Sequence, residues 1–63
     1  MPAPETNTRK IVARLEREGW ENTGGGSHDT FRHPEKAGRI VVARQREQSA
    51  GVARQIAKIA GWS

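Results

Sequence analysis

Three consecutive glycines, Gly24-Gly25-Gly26, lie just before the middle of a chain of 63 residues. Glycine loses more backbone freedom on ordering than any other residue, so three in a row cannot sit cheaply inside a helix or strand. They mark a turn, and the chain on either side must form separate, short elements. Chain length tightens the constraint, because a domain this small hides only about 60% of the surface its unfolded chain exposes. The elements must therefore share one core. Its candidates are few: Ile11, Val12, Leu15, Trp20, Phe31, Ile40, Val41, Val42, Val52, Ile56, Ile59 and Trp62. One domain is expected, with marginal stability that a partner or second copy would reinforce.

Residues 1–6 are rich in Pro and Ala without a period and read as a flexible tail, leaving residues 7–63 as the single domain. Asn7 or Thr8 can cap a helix, since a short side-chain oxygen satisfies free amides of a first turn. From Thr8 to Glu18, Ile11, Val12 and Leu15 recur at helical spacing, and Gly19 sits where a helix ends in a left-handed residue. Trp20 to Thr23 favours strand. After the glycines, Ser27 to His33 alternates, with Phe31, Asp29 and Ser27 on one side and His28, Thr30 and Arg32 on the other. Pro34 to Gly38 reads as a polar turn. Arg39 to Ala43 contains the β-branched run Ile40-Val41-Val42 and is the strongest strand signal. Arg44 to Gln48 is polar loop. Ala50 to Ala60 is a second helix, burying Val52, Ile56, Ile59 and Ala60 with Ala53 beside them, and Gly61 ends it.

The order is α-β-β-β-α. This is an α+β class, a three-stranded antiparallel sheet with both helices on one face, because each helix has a single apolar side to bury. The opposite face is left open, and it carries His28, Thr30 and Arg32.

Charge points to a partner. There are 11 Lys and Arg against 7 Asp and Glu, a net charge of +4. A basic domain of this size suits a polyanion or an acidic protein. The absence of cysteine removes disulfides, thiol nucleophiles and thiolate zinc sites. No apolar run approaches the roughly 20 residues needed to span a bilayer. Met1-Pro2-Ala3-Pro4-Glu5 lacks the basic-then-apolar layout of a signal peptide, so a cytoplasmic protein is expected.

Few residues can carry chemistry. Ser27-His28-Asp29 has the letters of a hydrolase triad, but neighbours in a strand project to opposite faces and cannot form a relay. His28 and His33 likewise point to opposite faces of a regular strand, with no acidic cluster nearby, so no metal site is expected. The glycines lack the Gly-Lys-Ser/Thr ending of a phosphate cradle and read better as a hairpin turn. That leaves a lone histidine on an open basic face. Most surface histidines do nothing, but imidazole titrates near neutral pH and can take the proton of a ribose 2′-hydroxyl. Arg32 on the same strand, Arg39 on the next, and Arg44 and Arg46 after the last could hold a phosphate and stabilise charge building on it.

Several segments together resemble the HicA (YcfA-like) toxins of toxin–antitoxin pairs, over roughly residues 8–62. They are Leu15-Glu16-Arg17-Glu18-Gly19-Trp20; Gly26-Ser27-His28 followed by Phe31-Arg32-His33-Pro34; Gly38-Arg39-Ile40-Val41-Val42; and the closing Gly51 to Trp62. The resemblance implies a fold like the double-stranded-RNA-binding domain, in agreement with the order read from the residues. It also implies a metal-independent endoribonuclease, without cofactor, that cleaves mRNA and inhibits translation and growth. Its essential residue would be the histidine of the Gly-Ser-His segment, here His28. Ser27 and Thr30 would orient the RNA backbone, while Lys10, Arg32, Arg39, Arg44 and Arg46 would bind phosphates. The implied partner is a HicB-type antitoxin that covers the His28 face.

The chain departs from the family pattern in two places. Pro-x-His after the last strand is replaced by Ala43-Arg44-Gln45, and the Lys-Pro-Gly-Thr entry to the last helix by Ser49-Ala50-Gly51-Val52. No residue is evident as the acid for the leaving oxygen; His33 would serve only if its strand bulged. Two alternatives stand beside the nuclease. One is a non-catalytic module of the double-stranded-RNA-binding type, which would bind through helix ends and loop cations. The other is an inactive toxin remnant that only binds its antitoxin.

Overall fold

The computed structural model describes residues 4–62. The first helix, α1, runs from Thr8 to Arg17, and the Asn7 side chain caps it by accepting from the Lys10 amide at 3.1 Å. It stops at Gly19, whose φ of +96° is left-handed. There the Gly19 and Trp20 amides donate back to the Glu16 and Leu15 carbonyls at 3.1 and 2.9 Å. This pair of reversed bonds satisfies helix-end carbonyls and folds Trp20 onto Leu15. Trp20 is a core residue as expected, 2% exposed, but it does not open the first strand. The strand, β1, starts one residue later and spans Glu21–Gly24.

The other strands are β2, His28–His33, and β3, Lys36–Ala43, in the antiparallel order β1-β2-β3. The expected polar turn at Pro34 to Gly38 is shorter, because β3 already begins at Lys36, opposite His33. Gly38, at φ +86°, absorbs the register shift that separates this pairing from Phe31 opposite Ile40. A glycine in the left-handed region is a common way to insert extra residues into one strand of a pair. The second helix, α2, covers Ala50–Ala60 as expected, is capped by the Ser49 hydroxyl and ends at Gly61 with φ +80°.

One core joins the layers. Ile11 and Leu15 of α1, Trp20, Phe31 of β2, Ile40 and Val42 of β3, and Ile56 and Ala60 of α2 form a single buried cluster. Both helices therefore pack on the sheet face that carries Phe31, Ile40 and Val42. Two expected core residues do not belong to it: Val41, on the sheet face away from the helices, is 42% exposed, and Val52 is the other. Val52 is 39% exposed, and the buried stripe of α2 runs through Ala53, Ile56, Ala57 and Ala60. Val52 sits in the first turn of α2 beside the outer margin of β3, where no further strand covers it.

The segment read as polar loop contains a structural residue. Gln48 is buried, and its amide brackets the end of β3: Oε1 accepts from the Ala43 N–H at 3.2 Å and Nε2 donates to the Ala43 carbonyl at 2.8 Å. The same Nε2 donates to Thr8 Oγ at 2.7 Å. The Gln48 amide N–H donates to the Thr6 carbonyl at 2.8 Å, and the Thr8 N–H to the Arg46 carbonyl at 3.0 Å. Residues 6–8 and 46–48 are thus laced together. Of the expected tail, Thr6 is tied in this way, and residues 1–3 lie outside the described residues.

Candidate active site

The glycine turn sets the position of His28. Gly24 is left-handed at φ +82°, and a Cβ added to Gly25 would lie 2.5 Å from the His28 carbonyl oxygen. No other residue type permits that approach without moving the backbone, so the turn is built for close passage over the start of β2. His28 then opens the strand, exposed, opposite Ala43 of β3. Thr30 opposes Val41, and Phe31 opposes Ile40 in the core. Alternation places His28, Thr30, Val41 and Ala43 on the face away from the helices.

A hydrogen bond of 3.2 Å joins Ser27 Oγ to His28 Nδ1. This leaves Nε2 as the outward nitrogen. Arg39 lines the same groove as His28, together with Val41 and Ala43. Arg32 is exposed on β2, opposite Glu21 in register.

The remaining residues expected to bind RNA are placed differently. Arg44 is engaged within the fold: its guanidinium donates to Asp29 Oδ1 through Nε at 3.2 Å and Nη2 at 3.0 Å, and Nη2 also reaches the Gly25 carbonyl at 3.4 Å. It ties the glycine turn to β2 and β3, an arrangement that neighbouring residues alone could not reveal. Arg46 lies with Arg9, Asn7, Thr8 and Gln45 around a separate depression at the start of α1. Arg9 was not singled out from the sequence, because its pairing with Arg46 depends on the lacing of residues 6–8 to 46–48. Lys10 is exposed in the first turn of α1.

His33 belongs to the scaffold. Its Nε2 bonds the Glu18 carbonyl at 3.0 Å and its Nδ1 accepts from the Glu35 amide at 3.0 Å. The ring packs edge-on against Trp20 with centroids 5.3 Å apart. With Nδ1 accepting, the ring proton sits on Nε2 and both nitrogens are spent. His33 also stands at the far end of β2, about 16 Å from His28 at strand rise. Among the described residues, no group of three or more His, Cys, Asp or Glu is arranged to hold a metal ion. None of their helices is long and apolar enough to cross a membrane.

The site therefore consists of an outward histidine held by a serine, at the mouth of a braced glycine turn, on an open sheet face. The family model described as HicA toxin of bacterial toxin-antitoxin matches residues 8–62. The chain belongs to the HicA toxin family. The match runs from the first residue of α1 past the end of α2 and includes every element that positions His28. A comparison with curated proteins finds no match. As a HicA toxin, the chain belongs to a toxin–antitoxin system, which implies an antitoxin partner and an RNA target.

Proposed function

We propose that this HicA toxin is an endoribonuclease that cleaves mRNA with His28 as its general base, without a metal or cofactor, and so arrests translation in the cytoplasm. The observation that carries this reading is the exposed His28 imidazole, held at Nδ1 by Ser27 on the open face of a HicA-family sheet.

The base role fixes the tautomer. To remove a proton, Nε2 must present its lone pair, so the single ring proton resides on Nδ1 and is donated to Ser27 Oγ. When Nε2 takes the 2′-hydroxyl proton, both nitrogens carry hydrogen, and Ser27 still accepts from Nδ1. The same bond thus serves the ring before and after proton transfer. The freed 2′-oxygen attacks the adjacent phosphorus and the 5′-oxygen of the next nucleotide leaves. The products are a 2′,3′-cyclic phosphate and a 5′-hydroxyl. Arg39 and Arg32 flank the open face and offset charge growing on the phosphate, while the Thr30 hydroxyl orients the backbone. Arg44 holds the turn that presents His28, and Lys10 and Arg46 contact more distant phosphates. His33 is spent in the scaffold, so water protonates the leaving oxygen.

A HicB-type antitoxin, in this reading, silences the toxin by covering the His28 face. Analysis of fragment ends tests the chemistry. Cyclic phosphate and 5′-hydroxyl ends, formed equally in excess chelator, are expected. Fragments ending in 3′-hydroxyl and 5′-phosphate, or cleavage abolished by the chelator, would contradict a 2′-hydroxyl attack driven by histidine alone.

A further inference from the structure

We propose that the outer edge of β3 is a docking site for an extended, acidic strand of the antitoxin, which adds to the sheet and closes over His28. This rests on the toxin reading above.

The sheet order leaves β3 at a margin. How that margin is used is shown by Gln48, whose side-chain amide bonds both the N–H and the carbonyl of Ala43. It stands where the peptide group of a fourth strand would stand. Since the Ala43 groups point away from β2, those of Val41, two residues earlier, do so too. Gln48 satisfies Ala43 alone. The edge at Val41 is left with a donor and an acceptor facing outward, and such an edge is a template for another chain.

Beside this edge runs a groove of about 410 Å³ between β3 and α2, with His28 at its lining. Val52, Ile56 and Ile59 form the helix wall, and Arg39, Val41 and Ala43 the strand wall. Among the described residues, Val41 and Val52 are the two large apolar residues left exposed, at 42% and 39%. Both border the groove. Side chains of an added strand alternate between its two faces. Those turned toward the helices would rest on Val52 and Ile59; those turned outward would meet Arg39 and the His28 ring.

Charge selects the outward set. β3 and α2 carry Lys36, Arg39, Arg54 and Lys58 and not one Asp or Glu. The fitting occupant is thus an extended peptide whose residues alternate apolar and acidic. A second copy of this chain fits worse, because edge-to-edge pairing of β3 would set Lys36 and Arg39 against their own kind. RNA shares the charge of the occupant but has no side chains to seat on Val52 and Ile59. Backbone pairing supplies affinity in this mode and the alternate side chains supply selectivity.

Two substitutions test the assignment through binding of the antitoxin to the full chain by calorimetry. Val41→Pro removes the outward N–H without touching a bond to β2, a position where an edge strand tolerates proline. Val52→Glu places a negative charge on the helix wall at an exposed site, so it bears on the proposal even if the proline variant folds poorly. Each should weaken antitoxin binding by about tenfold or more. In the complex, the Val41 amide should exchange slowly with solvent. Unchanged antitoxin affinity in both variants would overturn the proposal. So would loss of RNA binding, or of self-association, with antitoxin affinity intact; these results would assign the edge to RNA or to a second copy. Affinity is read without any cleavage step, so failure of the ribonuclease reading and failure of this one are distinguishable.

Discussion

Individual side chains in this fold do work that their sequence neighbours do not reveal. His28 was legible from its place after the glycines, and Ser27 from adjacency. The ion pair of Arg44 with Asp29 was not, because it joins residues 15 apart. Residue pattern left Arg44 as a free phosphate ligand for the same reason. Glu18 is a second case. Its carboxylate accepts from Trp62 Nε1 at 2.7 Å and from Arg14 Nε at 3.1 Å, while the Arg14 guanidinium lies 4.3 Å above the Trp62 ring. The Trp62 bond, aided by Arg14, holds the Glu18 carboxyl below its ordinary value of 4.5. A depressed folded value means that this stabilisation is complete above the unfolded value and is lost as pH falls through the folded one. Trp62→Phe keeps the ring and removes the donor. It should cost a few tenths to about 1 kcal/mol at pH 7, reduced by solvent exposure. The gap to the parent should narrow as pH drops below 4.5, measured by urea unfolding at several pH values. A pH-independent gap would mean that the bond to Glu18 contributes nothing.

At the scale of elements, both helices and their glycine ends followed from local chemistry: a polar cap, an apolar stripe and a left-handed glycine. Gly19 and Gly61 adopt the expected positive φ. The start of β3 did not follow, since Lys36, Ala37 and Gly38 face solvent at a sheet margin and carry no apolar alternation. Gln48 was missed because a single buried amide leaves no periodic trace. Its role makes a sharp prediction. Gln48→Ala strands the Ala43 N–H at the end of β3, leaves the Ala43 carbonyl with only the Gln45 amide, and removes the side-chain bond to Thr8 from the lacing of residues 6–8 to 46–48. Leaving buried groups unpaired costs about 1–3 kcal/mol, which in a domain of this size lowers the melting temperature by roughly 4–8 °C per kcal/mol. A melting temperature within about 2 °C of the parent by circular dichroism, the size of a surface change, would place the bracketing bonds outside the energetics of the fold.

The whole molecule divides its labour between two faces. One buries the helices over Phe31, Ile40 and Val42; the other presents His28 and Thr30. That division was readable from the alternation around Phe31, and the family match supports the toxin reading. What the open face does with RNA rests on one side chain. His28 is exposed and its ring bonds only Ser27 among the described residues, so its replacement should leave the fold intact. The most direct measurement is therefore the cleavage rate of His28→Ala against the parent on the same RNA, with melting temperatures matched. Loss of a general base typically lowers the rate about 10²–10⁴-fold, and a drop in that range at unchanged stability is the expected result. A variant that folds like the parent and cleaves at the parent rate would contradict the account at its centre.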